Sequence, residues 1–157
     1  MKAKSILICI MPIVSVLLFG CSRPTGFPEL EFMQDATSEL TCEMFQEQPH
    51  HSGDIVLGVD GTLTVILCSN PTTGFEWLES PQISDTSVLR QETHEFIPPE
   101  DLAERPPPPG SPGKEVWTFK TLKKGISTIS FEYSRPWEGA EKGEWTFDLE
   151  VHVRERS

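Results

Sequence analysis

Basic residues are scarce in this chain. It has 13 Lys and Arg against 24 Asp and Glu, a formal net charge of −11. That balance argues against a nucleic-acid partner, because a phosphate backbone needs a basic footprint. The acidity itself names no partner, and solubility with self-repulsion accounts for it. Histidine is scarce too: His50, His51, His94 and His152 sit in no nucleophile or metal motif. The carboxylates are scattered as solvated faces. Neither catalysis nor a bound metal or cofactor is expected. No CxxC pair is present and no internal repeat is visible. Long hydrophobic runs are missing except for Ile6–Phe19, which is too short for a comfortable transmembrane helix.

What is present begins with that run. Lys2 and Lys4 precede it, the pattern of a secretory signal. It ends in Leu18-Phe19-Gly20-Cys21, where a small residue followed by Cys resembles the lipobox of bacterial lipoproteins. The resemblance implies cleavage before Cys21 and lipidation of its thiol. Several acyl chains add their burial energies and would hold the exported protein on a bacterial membrane. Plain signal cleavage and an uncleaved anchor are the alternatives. Ser22, rather than Asp, resembles an outer-membrane sorting signal where the organism has two membranes. Residues 1–20 carry two lysines and no acid, so removing them leaves 11 basic against 24 acidic residues, a charge of −13. Residues 21–52 then read as a lipidated N-terminus and tether, with a short helix around Ser38–Gln46. Residues 53–157 read as one domain. Cys9 leaves with the signal. Cys42 and Cys68 remain as a candidate disulfide in an oxidising compartment, with two buried free thiols as the alternative.

From Gly53 onward short apolar alternations are separated by turn signals. Asp54–Val59 is closed by Asp60-Gly61, a hairpin signal. Thr62–Cys68 alternates, with Leu63, Val65 and Leu67 on one face. Phe75-Glu76-Trp77 opens another strand. Ser87–Phe96 reads as a further strand with an exposed face or edge. Ile97–Pro112 holds seven prolines and excludes a helix or central strand. Glu115–Thr121 and Ile126–Ser134 alternate again. Trp145, Phe147, Leu149, Val151 and Val153 then alternate with polar residues, the mark of a half-buried antiparallel strand. About seven strands without a helix between them point to an all-β, antiparallel β-sandwich, with a closed barrel as the alternative.

Three segments between these strands stand out. Asn70-Pro71-Thr72-Thr73-Gly74-Phe75 combines an Asn side-chain turn, a fixed proline φ and a glycine free to take positive φ. It reads as a preorganised loop with two hydroxyls at its tip, or as an ordinary tight turn. Gly110-Ser111-Pro112-Gly113 lets backbone approach another surface, or serves as a linker. Arg135-Pro136-Trp137-Glu138 puts Trp and Arg, frequent binding hot spots, in a polar turn. A tryptophan folded back over the sandwich end is the other reading.

In this order and spacing the three segments resemble the chagasin-like inhibitors of cysteine peptidases, over about residues 53–153. That family carries NPTTG before an aromatic, a glycine-rich loop before an aromatic strand, and RPW before the last strand. Here these are residues 70–75, residues 110–113 leading into Trp117 and Phe119, and residues 135–138. The family's glycine loop has Gly where this chain has Pro112. The resemblance implies an immunoglobulin-like sandwich with the three loops at one end. It also implies occlusion of the cleft of a papain-like cysteine peptidase; a monomer is expected, with oligomeric state left open by the sequence. Thr72 and Thr73 would sit near the catalytic Cys, shaped by Asn70, Pro71, Gly74 and Phe75. Gly110, Ser111 and Gly113 would grip one cleft wall, and Arg135, Pro136 and Trp137 the other. A lipid-anchored adhesion or assembly module on the same sandwich is the rival reading. The position of Trp137 discriminates the two.

Overall fold

The computed structural model describes residues 33–99, 107–137 and 139–155. Cys21, the leader and Glu138 lie outside the described residues. Eight strands and one short helix follow in order. They are β1 (Met33–Leu40), α1 (Cys42–Glu47), β2 (His50–Ser69), β3 (Glu76–Trp77), β4 (Gln82–Ile83), β5 (Leu89–Ile97), β6 (Gly113–Thr121), β7 (Gly125–Ser134) and β8 (Trp145–Arg154).

The strands form two layers that share β2. Its first arm, His50–Gly58, runs parallel to β8. Its second arm, Thr62–Ser69, runs antiparallel to β6 and parallel to β1. One layer is therefore first arm–β8–β7, with β3 and β4 on the far edge of β7. The other is β1–second arm–β6–β5, with β5 as an edge. Asp60-Gly61 does reverse the chain, but not as the expected hairpin: the two arms pair with different neighbours. Asp60 takes φ 62°, a conformation Asp tolerates through its short polar side chain. Thr121 closes the corner, donating from Oγ1 to the Gly58 carbonyl at 2.8 Å and accepting from Gly61 N at 2.7 Å.

Inward residues of both layers interdigitate. Leu63, Val65 and Leu67 of β2, Trp117 and Phe119 of β6, Ile129 and Tyr133 of β7, and Val151 of β8 are almost completely buried. The Trp117 and Phe131 rings meet across the layers edge-to-face with centroids 5.0 Å apart. On β8 the expected alternation holds, with Phe147, Leu149, Val151 and Val153 buried. The layers thus make a sandwich rather than a closed barrel.

The segment expected as a tether to residue 52 is built into the fold from Met33. β1 pairs along the second arm of β2, from Met33 opposite Leu57 to Leu40 opposite Leu67. The short helix follows at Cys42–Glu47 instead of Ser38–Gln46, capped by Thr41, whose Oγ1 accepts from Met44 N at 3.4 Å. Apolar content here is low because β1 lies at an edge with one face half open, so periodicity gives little signal. Phe45, the one buried residue of α1, stacks on Trp145 at 4.9 Å and lies 5.5 Å from Trp77. A disulfide joins Cys42 to Cys68, with Cα atoms 5.1 Å apart.

Candidate functional site

Strand directions gather the three singled-out segments at one pole. β2 ends there at Ser69, β6 starts there at Gly113, β7 ends at Ser134 and β8 begins at Trp145.

Asn70 organises the first loop. Its backbone N–H donates to the Tyr133 hydroxyl at 3.0 Å, so the only tyrosine of the chain ties the loop to the core. Its Oδ1 accepts from Thr72 Oγ1 at 2.7 Å and from Thr72 N at 3.3 Å. Its carbonyl accepts from Thr73 N at 3.1 Å and Thr73 Oγ1 at 2.7 Å. Pro71–Thr73 thereby form one 3-10 turn, closed by Gly74 N donating to the Pro71 carbonyl at 3.1 Å. Gly74 sits at φ 79°, where other side chains are strained. Pro71, Thr72 and Thr73 are exposed, while both hydroxyls donate within the loop. The tip is rigid and presents shape more than free donors.

Asn70 also joins this loop to the second. Its Nδ2 donates to the Gly110 carbonyl at 2.9 Å. Pro108–Ser111 is itself a turn, held by Ser111 N and Oγ donating to the Pro108 carbonyl at 3.0 and 2.7 Å. Gly113 departs from the surface role expected of it. It is buried at the start of β6 opposite Ser69, and a Cβ there would stand 2.4 Å from the Ile97 carbonyl oxygen. Glycine is required at 113 for close backbone packing.

The third segment completes the cluster. Trp137 is 52% exposed, and its ring edge lies against Gly74: a Cβ at Gly74 would be 3.1 Å from Trp137 Cη2. The indole does not fold into the core. Arg135 braces rather than projects. Its guanidinium lies 4.6 Å from the Phe75 ring centroid and 5.7 Å from that of Trp137, within cation–π reach of both. It pairs with Glu141 at 3.3 Å, and its backbone N–H donates to the Glu141 carbonyl at 3.0 Å. Its Nε is buried with no hydrogen-bond partner, so on that side the cation rests on aromatic faces alone. Phe75 in turn stacks on Tyr133 at 5.6 Å.

Asn70–Phe75, Gly110, Ser111 and Arg135–Trp137 therefore form one contiguous surface. Sequence reasoning missed Tyr133, whose hydroxyl is hidden in an apolar alternation. It also missed Glu141, which lies in a polar stretch without a pattern. Among the described residues no group of three or more metal-ligating side chains occurs.

Comparison with known proteins bears on this surface. Residues 56–151 match the family model described as the chagasin family peptidase inhibitor I42. Amoebiasin-2 of Entamoeba histolytica is 37% identical over 78 residues, 48% of this chain and 57% of that protein. The match thus spans little more than half the length of that relative. The crystal structure of the cysteine protease inhibitor EhICP2 from Entamoeba histolytica covers 76% of this chain and 97% of its own, at 24% identity and a TM-score of 0.54. That likeness establishes the immunoglobulin-like fold.

Proposed function

The chain belongs to the chagasin family of peptidase inhibitors, and from that premise we propose that it inhibits papain-like cysteine peptidases reversibly by occluding their active-site cleft. It is an inhibitor and not an enzyme. One observation carries the reading: the Asn70–Phe75 loop touches both other loops, through Asn70 Nδ2 at Gly110 and Gly74 at Trp137. Three adjacent loops on a rigid sandwich make a single wedge.

The 3-10 tip enters the cleft with Thr72 and Thr73 at the reacting centre. Both hydroxyls are occupied within the loop, and Pro71 and Gly74 hold its curvature. No scissile carbonyl of a helical turn lies in extended, attack-ready geometry, so the catalytic thiolate is blocked without cleavage. Trp137 lies flat on one cleft wall, steadied by Arg135 and Gly74. The Gly110-Ser111 turn meets the other wall. Little of this surface has to be ordered on binding, which lets an interface of standard size reach nanomolar affinity, about −12 kcal/mol.

The inhibitor acts as an exported monomer, lipid-anchored through Cys21 to a bacterial membrane, the outer one where two exist. The Gly20-Cys21 junction supports the anchor. The test is papain inhibition by soluble protein comprising residues 22–157, with a Thr72/Thr73 double replacement as control. Tight, active-site-directed inhibition lost in the control is expected. No inhibition of papain or cathepsin-type relatives at micromolar concentration would overturn the reading. Palmitate labelling lost in Cys21→Ser tests the anchor.

A further inference from the structure

One buried charge at the loop pole has no part in the wedge. β6 sends Gly113, Glu115, Trp117, Phe119 and Thr121 inward, and Glu115 is the only ionisable member of that row. It is 7% exposed. A buried carboxylate is expensive unless each oxygen is matched, and a hydrophobic residue of similar volume would often serve stability as well. Both oxygens are matched here. Ser69 Oγ donates to Oε1 at 3.1 Å, and His94 Nε2 lies 2.5 Å from Oε2. The carboxylate can only accept, so the imidazole donates at Nε2. His94 is itself fixed by stacking on Trp117, centroids 4.7 Å apart.

The partners are the roots of the first two loops. Ser69 is the last residue of β2 and immediately precedes Asn70. His94 lies on β5, three residues before Ile97, whose carbonyl presses on Gly113. Glu115 itself follows the glycine loop by two residues. The Ser69–Glu115–His94 chain thus spans β2, β6 and β5 directly beneath the Asn70–Gly110 contact. A hydrogen-bonded bridge adds to the backbone ladder a fixed distance and direction between these side chains, which an apolar contact does not supply.

We infer that Glu115 is a positioning residue for peptidase inhibition: through Ser69 and His94 it sets the spacing between the Asn70–Phe75 loop and the Gly110-Ser111 turn. This inference rests on the inhibitory function proposed above.

The experiment uses the full chain and its Glu115→Leu, Glu115→Gln and Ser69→Ala variants. Thermal unfolding and the association and dissociation rates with papain are measured for each. Gln can accept from Ser69 and, with the His94 proton moved to Nδ1, donate to His94 Nε2, so Glu115→Gln should stay within threefold of wild type. Glu115→Leu should remain folded and dissociate at least tenfold faster, with association little changed. Ser69→Ala, which removes one hydrogen bond, should fall between. A purely structural role would move unfolding temperature and dissociation together. Wild-type rates in folded Glu115→Leu would overturn the inference. Should that variant not fold, wild-type rates in Ser69→Ala would overturn it as well. In both cases inhibition by the parent protein persists. Absence of inhibition by the parent itself would instead remove the proposed function and this inference together.

Discussion

The Trp137 indole edge rests on the backbone of Gly74, where a Cβ would stand 3.1 Å from Cη2 and push the ring back by a few tenths of an ångström. Two loops distant in sequence therefore meet at a residue with a positive φ, where any side chain is strained. Gly74→Ala should strain the backbone by about 1 kcal/mol and displace the indole as well. We expect papain inhibition to weaken at least tenfold in a titration of residual activity, with a smaller effect on unfolding.

Trp137 is half exposed, so its truncation should separate binding from stability. Trp137→Ala should weaken peptidase binding by about 2 kcal/mol or more, as for a hot spot. Its unfolding free energy from urea titration should stay within about 0.5 kcal/mol of the parent, the usual range for surface substitutions. A binding change below about 0.5 kcal/mol would remove Trp137 from the site.

Asn70 uses its donor and its acceptor on different loops. Asn70→Asp keeps the acceptor for Thr72 but loses the donation to Gly110. One such hydrogen bond is worth about 1 kcal/mol. Roughly fivefold weaker inhibition is expected, and Asn70→Ala, which also releases the Thr72 tip, should be weaker still. Wild-type inhibition by Asn70→Asp would mean that the Gly110 contact has no effect on binding, and equal inhibition by the two variants would mean that the Thr72 contact has none.

The Cys42–Cys68 disulfide spans 26 residues. In the loop-entropy model such a cross-link contributes about 3 kcal/mol. Replacing both cysteines with Ala should lower the denaturant midpoint accordingly. Since Cys68 precedes Ser69 and Asn70, inhibition should also weaken. Unchanged inhibition would show that the Tyr133 anchor suffices to hold the loop root.

Asp85 gives a pH signature away from the site. Hydrogen bonds from the Ser87 hydroxyl and backbone N–H hold its carboxyl below the usual range. A depressed carboxylate adds stability above its unfolded pKa, and that contribution is lost as pH falls through the folded value. Ser87→Ala should move the Asp85 titration, followed by NMR, back toward the usual value. An unmoved titration would exclude the Ser87 hydroxyl as a cause.

The strands with strict alternation were legible from sequence. On β6, β7 and β8, Trp117, Phe131 and Phe147 fall at regular inward positions, and a period of two suffices to find them. β1 was not legible. Ala36 and Ser38 lie on an edge strand whose pairing is carried by the backbone, which leaves no mark on side-chain pattern. The Asp60-Gly61 reversal was legible as a turn. Its consequence was not, because a turn signal does not say whether its arms pair with each other or enter separate layers. Of the site, the loop tips were visible as motif. The supports were not: the Tyr133 hydroxyl and the Glu115 carboxylate act through contacts between residues 46 and 63 positions apart.

The direction of β1 also fixes the pole at which the described chain enters the sandwich. Met33 lies beside Leu57, toward the Asp60-Gly61 corner, and the strand climbs from there to Leu40 beside Leu67. The chain therefore enters the sandwich at the pole opposite Thr72, Gly110 and Trp137. With an anchor at Cys21, as proposed, the membrane would hold the protein by its foot and leave the inhibitory crest pointing outward. A peptidase could then be intercepted as it approaches the surface, without the bilayer obstructing access to the wedge.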